Sequence, residues 1–197
     1  MARVIVSAPA PAPQRGRPAI DREGWVADAR RIASPNRDAR PPGSAISLAV
    51  IHGISLPPGR FGGTGIADLF TNRLDPAAHP YFATVAHLRV SSHFLIRRRG
   101  ELVQFVACAD RAWHAGVSRW QGREGCNDFS IGIELEGTDT VPYTGAQYRR
   151  LARLLRLLRR HYPLADLAAH SDIAPGRKTD PGPAFDWSRL EALLGSG

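Results

Sequence analysis

A mixed α/β fold, with a central mixed β-sheet flanked by helices, is what this sequence predicts. Three observations lead to it. Residues Ile46 to Ile51 form a β-branched and aliphatic run without Gly or Pro, the pattern of a buried central strand. The runs His93–Arg97 and Glu101–Val106 flank Arg98-Arg99-Gly100 and read as an antiparallel hairpin. From Thr144 to Tyr162, apolar residues recur at helical spacing. Strands and helices interleave with a hairpin inside, so a mixed sheet fits better than a doubly wound parallel one.

Taken in order, Met1 to Ile20 holds four prolines and is expected to be a disordered Pro/Ala-rich extension, leaving one domain over residues 21–197. Gly24-Trp25-Val26 reads as a short strand, and Arg30 to Gly43, rich in Pro and Arg, as loop. His52 falls at the C-terminal end of the first long strand, where open α/β sheets place ligand groups. Leu56 to Gly65, with two prolines and four glycines, is a long loop. Ile66–Thr71 and Pro80–Val90 are short helix candidates, the second with Phe82, Val85, Ala86 and Arg89 at helical spacing. In the second hairpin strand Val103 and Phe105 share one face. Arg111 to Asn127 reads as a further loop, carrying Trp113, His114 and Trp120.

Phe129 to Glu136 resumes strand character, with Phe129, Ile131 and Ile133 on one face and Ser130, Gly132 and Glu134 on the other. In the long helix Tyr148, Leu151, Leu155, Leu158 and Tyr162 trace the apolar face; Thr144 is its N-cap and Pro163 ends it. The arginines on its other face read as a solvated surface. Trp187–Leu194 closes the domain as a short helix.

Composition narrows the function. The chain has 43% apolar residues and a mean hydropathy of -0.23, and no run long enough to span a membrane. The short apolar run Val4-Ile5-Val6 does not make a secretory signal, so a cytoplasmic protein is expected. Two cysteines, Cys108 and Cys126, make neither a disulfide framework nor a CxxC metal site. Net charge is +8, yet no nucleic-acid-binding motif accompanies it, and no nucleic-acid partner is expected.

The richest stretch chemically runs from His170 to Pro183. Three prolines and two glycines interrupt it, so a loop projecting polar side chains is expected. Lys178 within it is the only lysine among 26 Lys and Arg residues, and a compact ammonium is not equivalent to a guanidinium fork. His52, His170 and Asp180 are candidate metal ligands: two imidazoles and a carboxylate suit zinc and leave a fourth position for water. Glu134, a carboxylate among apolar strand neighbours, is a candidate general base if it faces a cleft. Glu136 shares its face and is the alternative. Lys178 would stabilise a developing oxyanion.

These residues sit in motifs that resemble the AmpD-like N-acetylmuramoyl-L-alanine amidases of the amidase-2 and peptidoglycan-recognition fold. The matching pieces are Ile51-His52, Ile54–Gly59 with Phe61-Gly62-Gly63, Ala86–Ser91, Arg111–Ser118, Cys126–Asp139 and the stretch from His170, in order over roughly Gly24 to Leu190. The resemblance implies His52, His170 and Asp180 as ligands of one Zn2+ per chain, and decides for Glu134 over Glu136 as the catalytic carboxylate, with Lys178 as cationic stabiliser. It implies Arg89, Trp113 and Asn127 as substrate contacts.

The implied substrate is a cytoplasmic muropeptide carrying 1,6-anhydro-N-acetylmuramic acid, cut at the amide between the lactyl group and L-alanine in cell-wall recycling. A monomer acting on such peptidoglycan fragments, with no membrane partner, is expected. A broader peptidoglycan amidase and a non-catalytic muropeptide-binding module are the alternatives. Two positions depart from the pattern. Gly53 stands where relatives often carry Asn, and Gly125 where they often carry a second arginine, with Arg123 nearby as a substitute.

Overall fold

A computed structural model of the chain describes residues 19–195. The predicted extension over residues 1–20 therefore lies outside the described residues except for its last two, of which Ile20 forms an isolated antiparallel bridge with Val26. The first half of the chain contains β1 (Arg30–Arg31), β2 (Arg37–Ala39), β3 (Leu48–Ile54), α1 (Gly65–Phe70), α2 (Pro80–Val85), β4 (Phe94–Ile96) and β5 (Leu102–Gln104). Then come β6 (Asp110–Ala112), β7 (Arg119–Trp120), β8 (Arg123–Glu124), a 3-10 turn at Cys126–Asp128 and β9 (Ser130–Glu136). The chain closes with α3 (Gly145–His161), β10 (Asp166–Ala169), α4 (His170–Ile173) and α5 (Trp187–Gly195).

Six strands form one mixed sheet in the order β1-β5-β4-β9-β3-β10, with β4–β5 antiparallel and the other neighbours parallel. Alternation along the strands sorts the side chains onto two faces. Ala49, Ile51, Ile131, Ile133 and Leu135 pack with Leu151, Leu155 and Leu158 of α3 and Leu190 of α5 in the largest core cluster. On the opposite face Leu95 joins Val103, Phe105 and the residues of α1 and α2, while Leu48 and Val50 pack with Phe129 and Ile173. Phe129 thus leaves the face expected for it. It follows the 3-10 turn with φ −128° and ψ 13°, so strand alternation begins only at Ser130.

α3 begins as expected. The Thr144 side chain accepts from the Gln147 backbone N–H, and the Gln147 side chain accepts in return from Thr144 N–H. This reciprocal cap satisfies two of the donors a helix start leaves unpaired.

Several expectations need correction. Arg30–Gly43 is not all loop: β1 adds to β5 in parallel, and β2 pairs antiparallel with β6. Gly24–Val26 is no strand beyond its single bridge, and the second helix stops at Val85 rather than Val90. Arg111–Asn127 contains the β7–β8 pair and the 3-10 turn. The stretch from His170 opens with one helical turn, α4, before becoming loop. The Asp172 carboxylate accepts from Ala169 N–H at 2.8 Å and fixes that turn. Among the described residues no helix is long and apolar enough to cross a membrane, and both cysteines are buried as free thiols.

Candidate metal centre and cleft

β10, β3 and β9 run parallel, and three polar groups converge towards their C-terminal ends. His52 is the register partner of Glu134 across β3 and β9. Ala169 is the register partner of Ile51, so His170, the next residue, emerges beside His52. The C-terminal ends of parallel strands thereby hold an imidazole, a carboxylate and a second imidazole side by side. The loop after α4 brings the fourth group back: Ser171 N–H donates to the Asp180 carbonyl at 3.0 Å, which closes the loop at its base. Nδ1 of His52 lies 3.0 Å from Nδ1 of His170 and 3.3 Å from an Asp180 carboxylate oxygen. Nδ1 of His170 is 3.1 Å from that carboxylate.

The ligand atoms of His52, His170 and Asp180 all lie within 4.8 Å of one another. The His170 ring is set so that the group could hold a metal ion. Its Nε2 sits 3.3 Å from the Ala115 carbonyl, an oxygen that can only accept, so Nε2 carries the proton and Nδ1 presents a lone pair. His52 is enclosed at 2% exposure, and burial above all lowers its pKa to about 4, so at neutral pH it is an uncharged ligand. Two imidazoles and a carboxylate aimed at one point suit a divalent cation and leave room for a further ligand.

A cleft of about 490 Å³ opens over the triad. Glu134 and Lys178 line it together with the three candidate ligands. Glu134 is 7% exposed and among the described residues its carboxylate receives no hydrogen bond. Burial raises its pKa well above the usual carboxylate value, the Asp180 charge adds to this, and Lys178 opposes it. Glu136 is different. Its carboxylate accepts from Gly62 N–H at 2.6 Å and Arg98 N–H at 3.2 Å and pairs with Arg97, so it braces the loop after β3.

The predicted substrate contacts separate. Trp113 lines the cleft, alongside Leu69, Tyr81 and Leu88. Arg89 is exposed and does not line it; its guanidinium lies over the carbonyls of its own segment. Asn127 does not line it either: its Oδ1 accepts from the backbone N–H groups of His114 and Ala115. Arg123 also stays away from the cleft, stacked 3.7 Å from the Phe129 ring. Gly125 has φ +68°, where an arginine would be strained.

Three groups of consequence were not singled out from the sequence. His114 lies in the cleft wall with Nδ1 2.9 Å from His52 Nε2, and Gly132 lies beneath its ring. The signal available for the second was a lone glycine inside a β-branched strand, which marks a close approach. Arg40 reaches in from the Pro/Arg-rich segment and donates to the carbonyls of Cys108, Asn127, Asp128 and Ser130, tying the 3-10 turn to the start of β9.

The profile of the Amidase_2 family, described as N-acetylmuramoyl-L-alanine amidase, matches residues 42–183. The 1,6-anhydro-N-acetylmuramyl-L-alanine amidase AmpD of Citrobacter freundii is 62% identical over 174 residues, which cover 87% of this chain and 93% of that one. A crystal structure of a selenomethionine AmpD derivative superposes with a TM-score of 0.87 at 62% identity, covering 89% of this chain and 98% of the other. The N-acetylmuramyl-L-alanine amidase AmiD of E. coli, solved with the substrate anhydro-N-acetylmuramic acid-L-Ala-D-gamma-Glu-L-Lys, aligns at a TM-score of 0.55 and 32% identity, over 88% of this chain and 65% of that one.

Proposed function

The chain belongs to the N-acetylmuramoyl-L-alanine amidase family, and from that premise we propose that it is a zinc hydrolase of cell-wall recycling. Its substrate would be a muropeptide in the cytoplasm, cut at the amide between the lactyl group of (1,6-anhydro-)N-acetylmuramic acid and L-alanine. The observation that carries the reading is the convergence of His52 Nδ1, His170 Nδ1 and the Asp180 carboxylate at the open end of three parallel strands.

His52, His170 and Asp180 would hold the zinc, which when bound supplies a Lewis acid that polarises the scissile carbonyl and acidifies water. Glu134 takes the proton of the attacking water and delivers it to the leaving nitrogen of L-alanine. Its enclosed position, which raises its pKa, suits a group that must both accept and return a proton. Lys178 places its ammonium where negative charge develops on the carbonyl oxygen. Trp113 forms part of the wall against which substrate rests, and Arg89, next to the lining residues Leu88 and Val90, meets a stem-peptide carboxylate at the rim.

Metal analysis tests the ligand set. The purified chain should bind one zinc ion, and His170→Ala or Asp180→Ala should lose most of the affinity while keeping the circular dichroism of the parent. Undiminished zinc binding in both variants would rule out the assignment.

A further inference from the structure

The metal reading assigns Nδ1 of His52 to the ligand cluster and leaves its opposite nitrogen facing a second imidazole. His52 Nε2 is 2.9 Å from Nδ1 of His114. On its far side His114 presents Nε2 to Ser130 Oγ at 3.1 Å. Ser130 Oγ in turn donates to the Cys126 carbonyl. All of these side chains are buried, His114 at 9% exposure and Ser130 at 0%.

We infer that His114 and Ser130 are positioning residues, which fix the tautomer and orientation of His52 through a one-directional chain of hydrogen bonds anchored on the Cys126 carbonyl. The direction follows from the anchored end. A carbonyl oxygen can only accept, so the Ser130 hydroxyl proton is committed to it. Ser130 Oγ then accepts, and His114 must carry its proton on Nε2. A neutral imidazole has one N–H, so His114 Nδ1 is bare and accepts from His52 Nε2–H. His52 Nδ1 is thereby left with a lone pair, directed at His170 and Asp180. The opposite tautomer of His114 would set two protons against each other or move the His52 proton onto the ligand atom.

Two further features hold the ring of His114 where this chain requires it. A Cβ at Gly132 would stand 2.5 Å from His114 Cγ and 2.7 Å from its Nδ1, so only glycine leaves space for the ring over β9. The backbone φ of Gly132 does not itself demand glycine. Asn127 clamps the segment by accepting from both His114 and Ala115 N–H, and the Ala115 carbonyl receives His170 Nε2–H. One two-residue segment therefore orients both imidazole ligands. Outer partners of metal-bound histidines commonly contribute about 10- to 100-fold in affinity, on the order of that expected here.

The inference rests on the metal reading, and the test separates the two. Zinc-loaded, 15N-labelled protein is examined by long-range 1H–15N correlation, which reports the protonated nitrogen of each histidine. Zinc affinity is measured by competition with a chromophoric chelator for the parent, His114→Leu and His114→Asn. The expected spectra show His114 protonated on Nε2, and His52 metal-bound through Nδ1 and protonated on Nε2. His114→Leu should weaken zinc binding about 10- to 100-fold, and His114→Asn, which retains an acceptor, should recover part of it. A parent that binds zinc with His114 protonated on Nδ1, or a folded His114→Leu that binds zinc like the parent, overturns the inference alone. A parent that binds no zinc overturns the metal reading beneath it. The spectra of the parent decide the matter even where a variant fails to fold.

Discussion

His52 and Glu134 are register partners on neighbouring parallel strands, and their side chains leave the same face of the sheet. Adjacent same-face positions of this kind hold their Cβ atoms about 5 Å apart. The candidate metal ligand and the candidate base therefore share a rigid frame in which neither depends on a loop for its position. Their strands are buried along their length apart from the last two residues of β3.

This frame makes Glu134 separable from the metal. Glu134→Gln keeps the shape of the side chain and removes the acid–base group. Turnover should fall by about 10²- to 10⁴-fold, while zinc content measured on the same sample stays at the parent level. Loss of zinc along with activity would place Glu134 among the ligands.

Lys178 sits in the loop after α4 and is exposed, so its replacement should leave the fold unchanged. Lys178→Ala should lower kcat by about 10²- to 10³-fold, the effect of removing one oxyanion donor, with a smaller change in KM. Lys178→Arg should recover only part of this, because a planar fork does not reproduce a compact ammonium. Steady-state kinetics on a muropeptide checks both, and an unaltered kcat in Lys178→Ala would remove the residue from the mechanism.

What could be read from the sequence depended on how local its cause was. β3, β9, the β4–β5 hairpin and α3 carry their own periodicity, and His52 and Glu134 were visible from their places in those strands. β1 and β2 have two and three residues and exist only because β5 and β6 are there to pair with them. β10 (Asp-Leu-Ala-Ala) has no β-branched residue, and pairing along β3 overrides its weak propensity. The role of His114 is not legible in the sequence, because its partner His52 is 62 residues away and its surroundings read as loop. Asn127 could be picked out by motif, but only the fold shows that its Oδ1 faces the backbone of His114 and Ala115.

Gly53 has a structural reason. A Cβ there would stand 2.4 Å from the Tyr143 hydroxyl, which donates to the Pro181 carbonyl at 3.0 Å. Gly53→Ala should displace Tyr143 and disturb the residue next to Asp180. A loss of about 1–3 kcal/mol in stability and weaker zinc binding are expected from urea unfolding and chelator competition. Tyr143→Phe, which removes only the hydrogen bond, should cost about 1 kcal/mol. Parent-like stability in Gly53→Ala would show that the hydroxyl moves aside freely.

Buried imidazoles set the acid limit of the metal-free chain. His52, His93 and His114 are all held below their ordinary value of 6.5, chiefly by burial, His52 to about 4. The unfolded chain takes up protons on these residues near pH 6.5 and the folded chain does not. Stability is therefore fully present above that pH and falls as pH drops towards the folded values, by up to about 1.4 kcal/mol per pH unit for each group. Glu134, whose carboxyl is raised by burial, works in the opposite sense and offsets part of this loss, so urea midpoints recorded from about pH 7 down to about pH 5 should show a net decline. A flat profile across that window would contradict three neutral, enclosed histidines.

Metal-dependent hydrolysis of one particular amide can be followed by mass spectrometry of an anhydro-muropeptide digested with and without a chelator. Free stem peptide and free anhydro-sugar are expected when metal is present, and intact substrate when it is removed. Stem peptide released equally in both digests, or a cut at any other bond, would contradict it.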